Sequence, residues 1–326
     1  MGPPASRTAR IALLIWGVAM GVASPALARD QQRGRIAFDH IVFGGKEDIF
    51  TVKPDGSHAR QITHTPPTQE GSEAPAWSPN AARIYFDSDR AGGIHVFSMN
   101  ARGLDVRQVT MSDDGSEFTP SVSPDGRLLA YEHDASDLSS GGIYLARRHD
   151  RDVAGARQLT LNPAISTGGY DTHPEFSPDG STLAFLRVLN DRGPTAMSAI
   201  FIINVDGSGL TQLTPYDLNA IGPHWSPDGT HLLFSSNGDN FSDQLSANVY
   251  AMGADGSDLT QLTHDTNGSH SFTPDWSPDA TEIVFAHAGA DGGDLRVMRL
   301  QTTAVRVIWH TAIGAVDQDP AWGASP

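Results

Sequence analysis

A proline, one variable residue and a bulky apolar residue recur six times along the chain. They are Pro75-Ala76-Trp77, Pro120-Ser121-Val122, Pro174-Glu175-Phe176, Pro223-His224-Trp225, Pro274-Asp275-Trp276 and Pro320-Ala321-Trp322. The copies stand roughly fifty residues apart, and a fixed period of that length marks a repeat fold. Five of the six run on into Ser-Pro-Asp or Ser-Pro-Asn, three of them as Ser-Pro-Asp-Gly (Ser123–Gly126, Ser177–Gly180, Ser226–Gly229). Proline second and glycine fourth suit a type I β-turn; Asn80-Ala81 and Asp279-Ala280 depart from the glycine, which that turn does not strictly require.

Each turn leads into a short apolar run ending in an aromatic, such as Ile84-Tyr85-Phe86, Leu183-Ala184-Phe185 or Ile283-Val284-Phe285. A third run follows (Ile94–Phe97, Ile200–Ile203, Leu295–Met298), then Asp-Gly turns and a fourth segment ending Gln-φ-Thr, as in Gln61-Ile62-Thr63 and Gln261-Leu262-Thr263. Four short strands per unit, repeated, predict the blades of a β-propeller. The stretch from Arg35 to Thr63 has strands two to four of a unit but no Pro-x-Trp strand, and Asp317 to Trp322 is that strand alone. Joined, they make one composite blade. With the five complete units this predicts an all-β, six-bladed propeller of four-stranded antiparallel blades over 29–326, its ring closed by its own ends so that no sheet edge is left exposed. Either Ile36-Ala37-Phe38 or Ile41-Val42-Phe43 can serve as strand two of the composite blade; the former is preferred, because Phe38-Asp39-His40 parallels Tyr131-Glu132-His133 and Phe285-Ala286-His287.

Composition narrows the function. The 326 residues carry a formal net charge of −16, and 39% are hydrophobic, enough for a folded core. Such an acidic chain is a poor nucleic-acid binder. The absence of cysteine excludes disulfides, thiolate metal sites and a cysteine nucleophile. Neither Gly-x-Gly-x-x-Gly nor a P-loop occurs. At the start, Arg7 and Arg10 precede an apolar run from Ile11 to Val22, Ser24-Pro25 breaks it, and Ala26-Leu27-Ala28 offers a cleavage site. Residues 1–28 are therefore read as a secretory signal, with the mature protein periplasmic or secreted and not membrane-embedded.

The repeated Pro-x-Trp-Ser-Pro-Asp-Gly, apolar strand, Asp-Gly and Gln-Leu-Thr resembles the WD40-like (PD40) propeller repeat of the TolB-like family, over about residues 35–326. The resemblance implies a periplasmic, non-catalytic binding scaffold, TolB being part of the Tol–Pal envelope system. The α/β domain that precedes TolB's propeller has no counterpart in the Arg29–Gly34 interval. Similar repeats occur in prolyl-oligopeptidase-like peptidases, but no Gly-x-Ser-x-Gly elbow is present.

Antiparallel alternation puts the stereotyped turns on one face of the ring and the variable connections (Asp134–Gly142, Leu161–His173, Val188–Ser198, Ser236–Ala247) on the other, where repeat scaffolds usually bind. Segments entering the innermost strands are acidic and histidine-bearing, and they include Glu70. Glu73, Glu117, His173, His270 and Asp319 are the candidate partner-binding residues at the channel mouth, where converging carboxylates focus negative potential on a basic protein or envelope component. No cofactor is expected, a divalent cation in the channel being the one exception considered. The chain is read as a monomer. The alternative function is a metal-dependent lyase or hydrolase with its site in the funnel, His173 and His270 with Glu73 or Glu117 being its best donors. His40, His133 and His287, equivalent in three blades, form a weaker metal set. The tryptophans of the repeat are read as packing between blades.

Overall fold

The structure is a computed structural model that describes residues 34–42, 46–66, 71–135, 141–148, 153–161, 169–189, 197–237, 246–266, 268–289, 292–311 and 315–324. The expected secretory segment, Glu70 and most of the four variable connections lie outside the described residues.

Six four-stranded antiparallel sheets form the ring. Blade 1 is β1 (Arg35–Val42), β2 (Glu47–Val52) and β3 (Arg60–Gln61), with the last strand of the chain, β24 (Ala315–Gly323), as its innermost member. Blades 2 to 6 follow in chain order. Blade 2 holds β4 (Ser72–Trp77), β5 (Arg83–Ser88), β6 (His95–Asn100) and β7 (Arg107–Gln108). Blade 3 holds β8 (Gly115–Val122), β9 (Leu128–Ala135), β10 (Gly141–Arg148) and β11 (Val153–Gln158). Blade 4 holds β12 (Tyr170–Phe176), β13 (Thr182–Val188), β14 (Ser198–Asn204) and β15 (Thr211–Gln212). Blade 5 holds β16 (Ala220–Trp225), β17 (His231–Ser236), β18 (Asn248–Gly253) and β19 (Thr260–Gln261). Blade 6 holds β20 (His270–Trp276), β21 (Glu282–Gly289), β22 (Gly292–Arg299) and β23 (Ala304–His310). The closure is the one expected: Ile36 pairs with Trp322, as Ile84 pairs with Trp77 and Ile283 with Trp276. Among the described residues, no helix is long and apolar enough to cross a membrane.

The core lies between blades. Each of the six apolar clusters joins two neighbours: Ala37, Ile49 and Ile62 of blade 1 meet Ile84, Phe86 and Met99 of blade 2, and Ile36, Phe38 and Val52 meet Val284, Leu295 and Val297 of blade 6. Trp225, Trp276 and Trp322 are buried in such clusters, as packing requires. The aromatic ending strand two (Phe38, Phe86, Tyr131, Phe185, Phe234, Phe285) is buried in every blade. Strand pleating explains the two-sided apolarity, since both faces of a blade meet a neighbour.

The Ser-Pro-Asp turns are built alike. The hydroxyls of Ser123, Ser177, Ser226 and Ser277 donate to the aspartate two residues on, at 2.6–2.7 Å, and accept the N–H five residues on. The fourth turn position is left-handed throughout, including Ala81 (φ 51°) and Ala280 (φ 56°). Those two alanines are therefore strained where the other blades use glycine.

Candidate binding site in the central channel

The innermost strands are bent at the same place in all six blades. The residue before the repeat proline has a positive φ in each: Ala74 47°, Thr119 47°, His173 50°, Gly222 53°, Thr273 44° and Asp319 45°. Pairing with strand two slips at this point, for instance between Glu73 and Ala76 and between Thr172 and Glu175. A bulge of this kind unpairs two residues and re-aims their neighbours. Here it turns the residues immediately before and after the proline into a channel cavity of about 1170 Å³, open to solvent.

Two arcs of ionisable side chains surround this bend, the first on strand two behind the cavity lining and the second on the bent strand itself. The first belongs to blades 1 to 3, at the position following the strand-two aromatic: Asp39, Asp87 and Glu132, all buried. Asp87 accepts the Thr119 N–H of the next blade at 2.9 Å. Both carboxyl oxygens of Asp39 are without a hydrogen-bond partner from any other described residue. Burial, then the charges of Asp319, Glu73 and Glu47, push Asp39 well above the ordinary carboxylate range. Burial, with smaller contributions from Asp319 and Glu47, brings Asp87 to about 7 against the Thr119 hydrogen bond. Burial and the neighbouring Asp134 raise Glu132. Glu73, half-buried beside this arc, is raised to about 9 by burial, by a hydrogen bond with Glu47, and by the charges of Asp87, Glu47 and Asp319. Two carboxyls so close share a proton rather than both ionise.

The second arc comes from the variable residue of Pro-x-Trp in blades 4 to 6. His224 Nδ1 stands 3.0 Å from Glu175 Oε2 and 3.8 Å from Asp275 Oδ1. Burial depresses the imidazolium, but Glu175, then Asp275 and Asp319, outweigh it and hold His224 at about 9. Burial raises Asp275 to about 6, with His224 pulling it back. These carboxylates also tie blades together. Glu175 accepts the Trp225 backbone N–H at 3.3 Å, and Asp275 accepts that of Trp322 at 2.6 Å. The same position in blades 1 to 3 is Ala321, Ala76 and Ser121, so this level of the channel is charged on one side only.

Of the residues picked from sequence, His173 and Asp319 line the channel and interact electrostatically, and Glu73 acts on the same group. Burial lowers the His173 pKa, Asp319 opposing this, while burial raises Asp319 against both histidines. Glu117 does not face the channel space. It is 2% exposed, with His95 Nδ1 2.6 Å from one oxygen and the Thr110 hydroxyl donating at 2.9 Å. Against the pull of burial, hydrogen bonds from His133, His95 and Thr110 hold its carboxyl below the ordinary value. His270 sits at the start of β20, where its Nδ1 accepts the Ala247 N–H, away from the channel lining. The three equivalent histidines do not converge. Each faces a carboxylate within its own blade or in the segment leading into it: His40–Asp317 at 2.7 Å, His133–Glu117 at 3.8 Å and His287–Asp265 at 3.3 Å. In blade 4 the corresponding staple is a buried bidentate pair, Arg187–Asp171, with both contacts at 2.7 Å. Among the described residues, no three His, Asp or Glu side chains are grouped to hold a metal ion.

The sequence reading missed Glu175, His224, Asp275, Asp39 and Asp87. The signal for the first three was present: the variable residue of Pro-x-Trp is charged or titratable in three consecutive copies.

Comparison with known proteins agrees with the propeller fold. The TolB β-propeller domain (PD40) matches residues 19–162 and 160–326. A TolB homologue of Chlorobium luteolum is 28% identical over 141 residues, 32% of this chain and 31% of that protein. The chain spans less than half the length of the curated relatives it matches. Among solved structures, TolB from Acinetobacter baumannii superposes with a TM-score of 0.70 at 18% identity, over 89% of this chain and 66% of that one. A TolB-like protein from Agrobacterium tumefaciens gives 0.61 at 19% identity, over 90% and 99%. At these identities the structures attest the fold alone. The repeat match, which runs through nearly the whole propeller, places this chain in the TolB β-propeller domain family.

Proposed function

We propose that the chain is an exported, non-catalytic propeller scaffold. It binds a protein or cell-envelope component carrying basic side chains, across the variable-loop face and the channel mouth. One observation carries this reading: the charges that dominate Asp39, Glu73 and Asp87 are all carboxylates, Asp319 and Glu47 among them. Such a cluster is held neutral by protons at a cost in free energy, and an incoming ammonium or guanidinium would replace those protons. Glu47, Glu73 and Asp319 are half-buried and reachable, whereas Asp39 and Asp87 act on a bound cation through their field. Export rests on the basic, apolar and small-residue order of residues 1–28.

The test is co-purification from the periplasmic fraction, followed by affinity measurement with the identified partner. Changing Glu47→Gln, Glu73→Gln and Asp319→Asn together is expected to weaken binding at least tenfold. Unchanged affinity would overturn the channel mouth as the docking site.

A further inference from the structure

On the opposite face, the seam between blades 1 and 2 holds a second cavity, of about 740 Å³ including open solvent. Three guanidiniums line it, Arg35, Arg60 and Arg102, together with the half-buried indole of Trp77. None of the three makes an ion pair among the described residues. Arg35 Nη1 reaches only the Thr51 hydroxyl and the His58 carbonyl, each at 3.4 Å, and Arg60 donates to the Arg102 carbonyl at 3.1 Å. Three such arginines in a chain of net charge −16 run against its overall electrostatics.

The next blade shows what is missing. Strand pairing makes Arg35, Thr51 and Arg60 equivalent to Arg83, Ser98 and Arg107. There, Asp105 bridges both arginines: Oδ2 lies 2.9 Å from Arg83 Nη1 and 2.8 Å from Arg107 Nη2, and Oδ1 accepts Arg107 Nε at 2.9 Å. In blade 6 the equivalent arginine, Arg306, is gripped bidentately by Glu282 at 2.8 Å. In blade 1 the counterpart of Asp105 is His58, in the same left-handed conformation (φ 57° against 55°), and among the described residues no carboxylate replaces it. Forked guanidiniums match carboxylate and phosphate oxygens in pairs.

We propose that this seam is a binding site for a small polyanion, whose carboxylate or phosphate group takes the place that Asp105 fills in blade 2. Arg102 supplies a third positive group, and the Trp77 indole, fixed by its N–H bond to the Ala321 carbonyl at 3.1 Å, forms an apolar wall. The site lies on the face carrying the stereotyped turns, and Trp77 stands between it and the channel cavity, lining both.

The decisive experiment is calorimetric titration of the purified protein at low ionic strength, with pyrophosphate and with citrate in separate runs. Saturable one-to-one binding of either is expected, and the stronger of the two identifies phosphate or carboxylate as the group read. Arg60→Gln with Arg102→Gln should weaken binding about tenfold or more, as loss of charged hydrogen bonds does. His58→Asp supplies the internal carboxylate without removing any arginine. It should abolish anion binding while leaving thermal unfolding intact or improved. Failure of both anions to bind the wild type at millimolar concentration, or undiminished binding by His58→Asp, would overturn the proposal.

Discussion

The two halves of the channel use one backbone in opposite ways. Blades 1 to 3 bury Asp39, Asp87 and Glu132, and the charges that act most strongly on them are other carboxylates. Blades 4 to 6 have Leu186, Ser235 and Ala286 at that register, and place Glu175, His224 and Asp275 one layer away with a histidine between two carboxylates. In the first half burial and like charge favour the protonated acid. In the second His224 pulls Asp275 back against burial, and Glu175 and Asp275 accept tryptophan backbone N–H groups from the next blade. Both halves use a carboxylate to accept a backbone N–H from the next blade, Asp87 from Thr119 and Asp275 from Trp322, but in the second half a histidine stands beside it.

The halves meet at the seam between blades 6 and 1, where Trp322 packs on Ile36, Val284 and Val297 and donates its backbone N–H to Asp275. Trp322→Ala is expected to have the largest effect, about 3–5 kcal/mol of stability, as for large aromatic truncations in cores. Thermal and urea unfolding would measure it. A change below about 1 kcal/mol would mean that the joined ends do not close the ring.

His224→Ala attacks the second half alone. It leaves Glu175 and Asp275 facing each other without their cation, and the expected loss is about 1–3 kcal/mol at neutral pH. The loss should be at least as large at pH 5 and should shrink toward pH 9, because His224 holds its proton to about 9 when folded against 6.5 when unfolded. An equal loss at pH 5 and pH 9 would show that the imidazole acts by packing rather than by charge.

The ring was legible in the sequence because every blade repeats the same apolar contacts: Pro-x-Trp against the strand-two aromatic is a pattern of types and spacings, and Ile36 pairing with Trp322 follows from counting it. The channel was only partly legible. Glu73, His173 and Asp319 were reached by assuming that residues entering the inner strand converge on the axis. Glu117 lies one register position from Glu73, pairing with His133 where Glu73 pairs with Asp87, so strand alternation turns it to the other face, toward His95 and His133. The bend before the proline, a left-handed residue in all six blades, has no signature in residue type, since Ala, Thr, His, Gly and Asp all occupy it. It is what brings Glu175, His224 and Asp275 inward.

Proton linkage separates the halves more finely. Glu73 titrates near 9 when folded and near 4.5 when unfolded, and His224 near 9 against 6.5. In both cases the folded state holds the proton longer. Their contribution is fully present below the unfolded value and is lost as pH rises toward 9. Stability should therefore fall between about pH 5 and pH 9, as read by urea midpoints. Glu73→Gln, which mimics the protonated acid, should flatten the acid-arc part of that slope and leave the His224 part in place. A slope identical in the variant would place the linkage elsewhere.

Asp39→Asn is the mildest change and the sharpest discriminator. The substitution preserves shape, removes one buried charge and affects no partnered oxygen, since Asp39 has none among the other described residues. Its folded pKa is raised, chiefly by burial, so the protonated acid gains as pH falls and the two proteins should unfold more alike toward acidic pH. As pH rises the wild type must either keep an unfavourable proton or ionise against Asp319 and Glu73, and the variant does neither. The Asp39→Asn change should therefore raise the melting temperature by about 2–4 °C at pH 8.5 and by less at pH 5. Equal melting at both pH values would mean that the first arc is not electrostatically strained, and the contrast between the two halves of the channel would vanish with it.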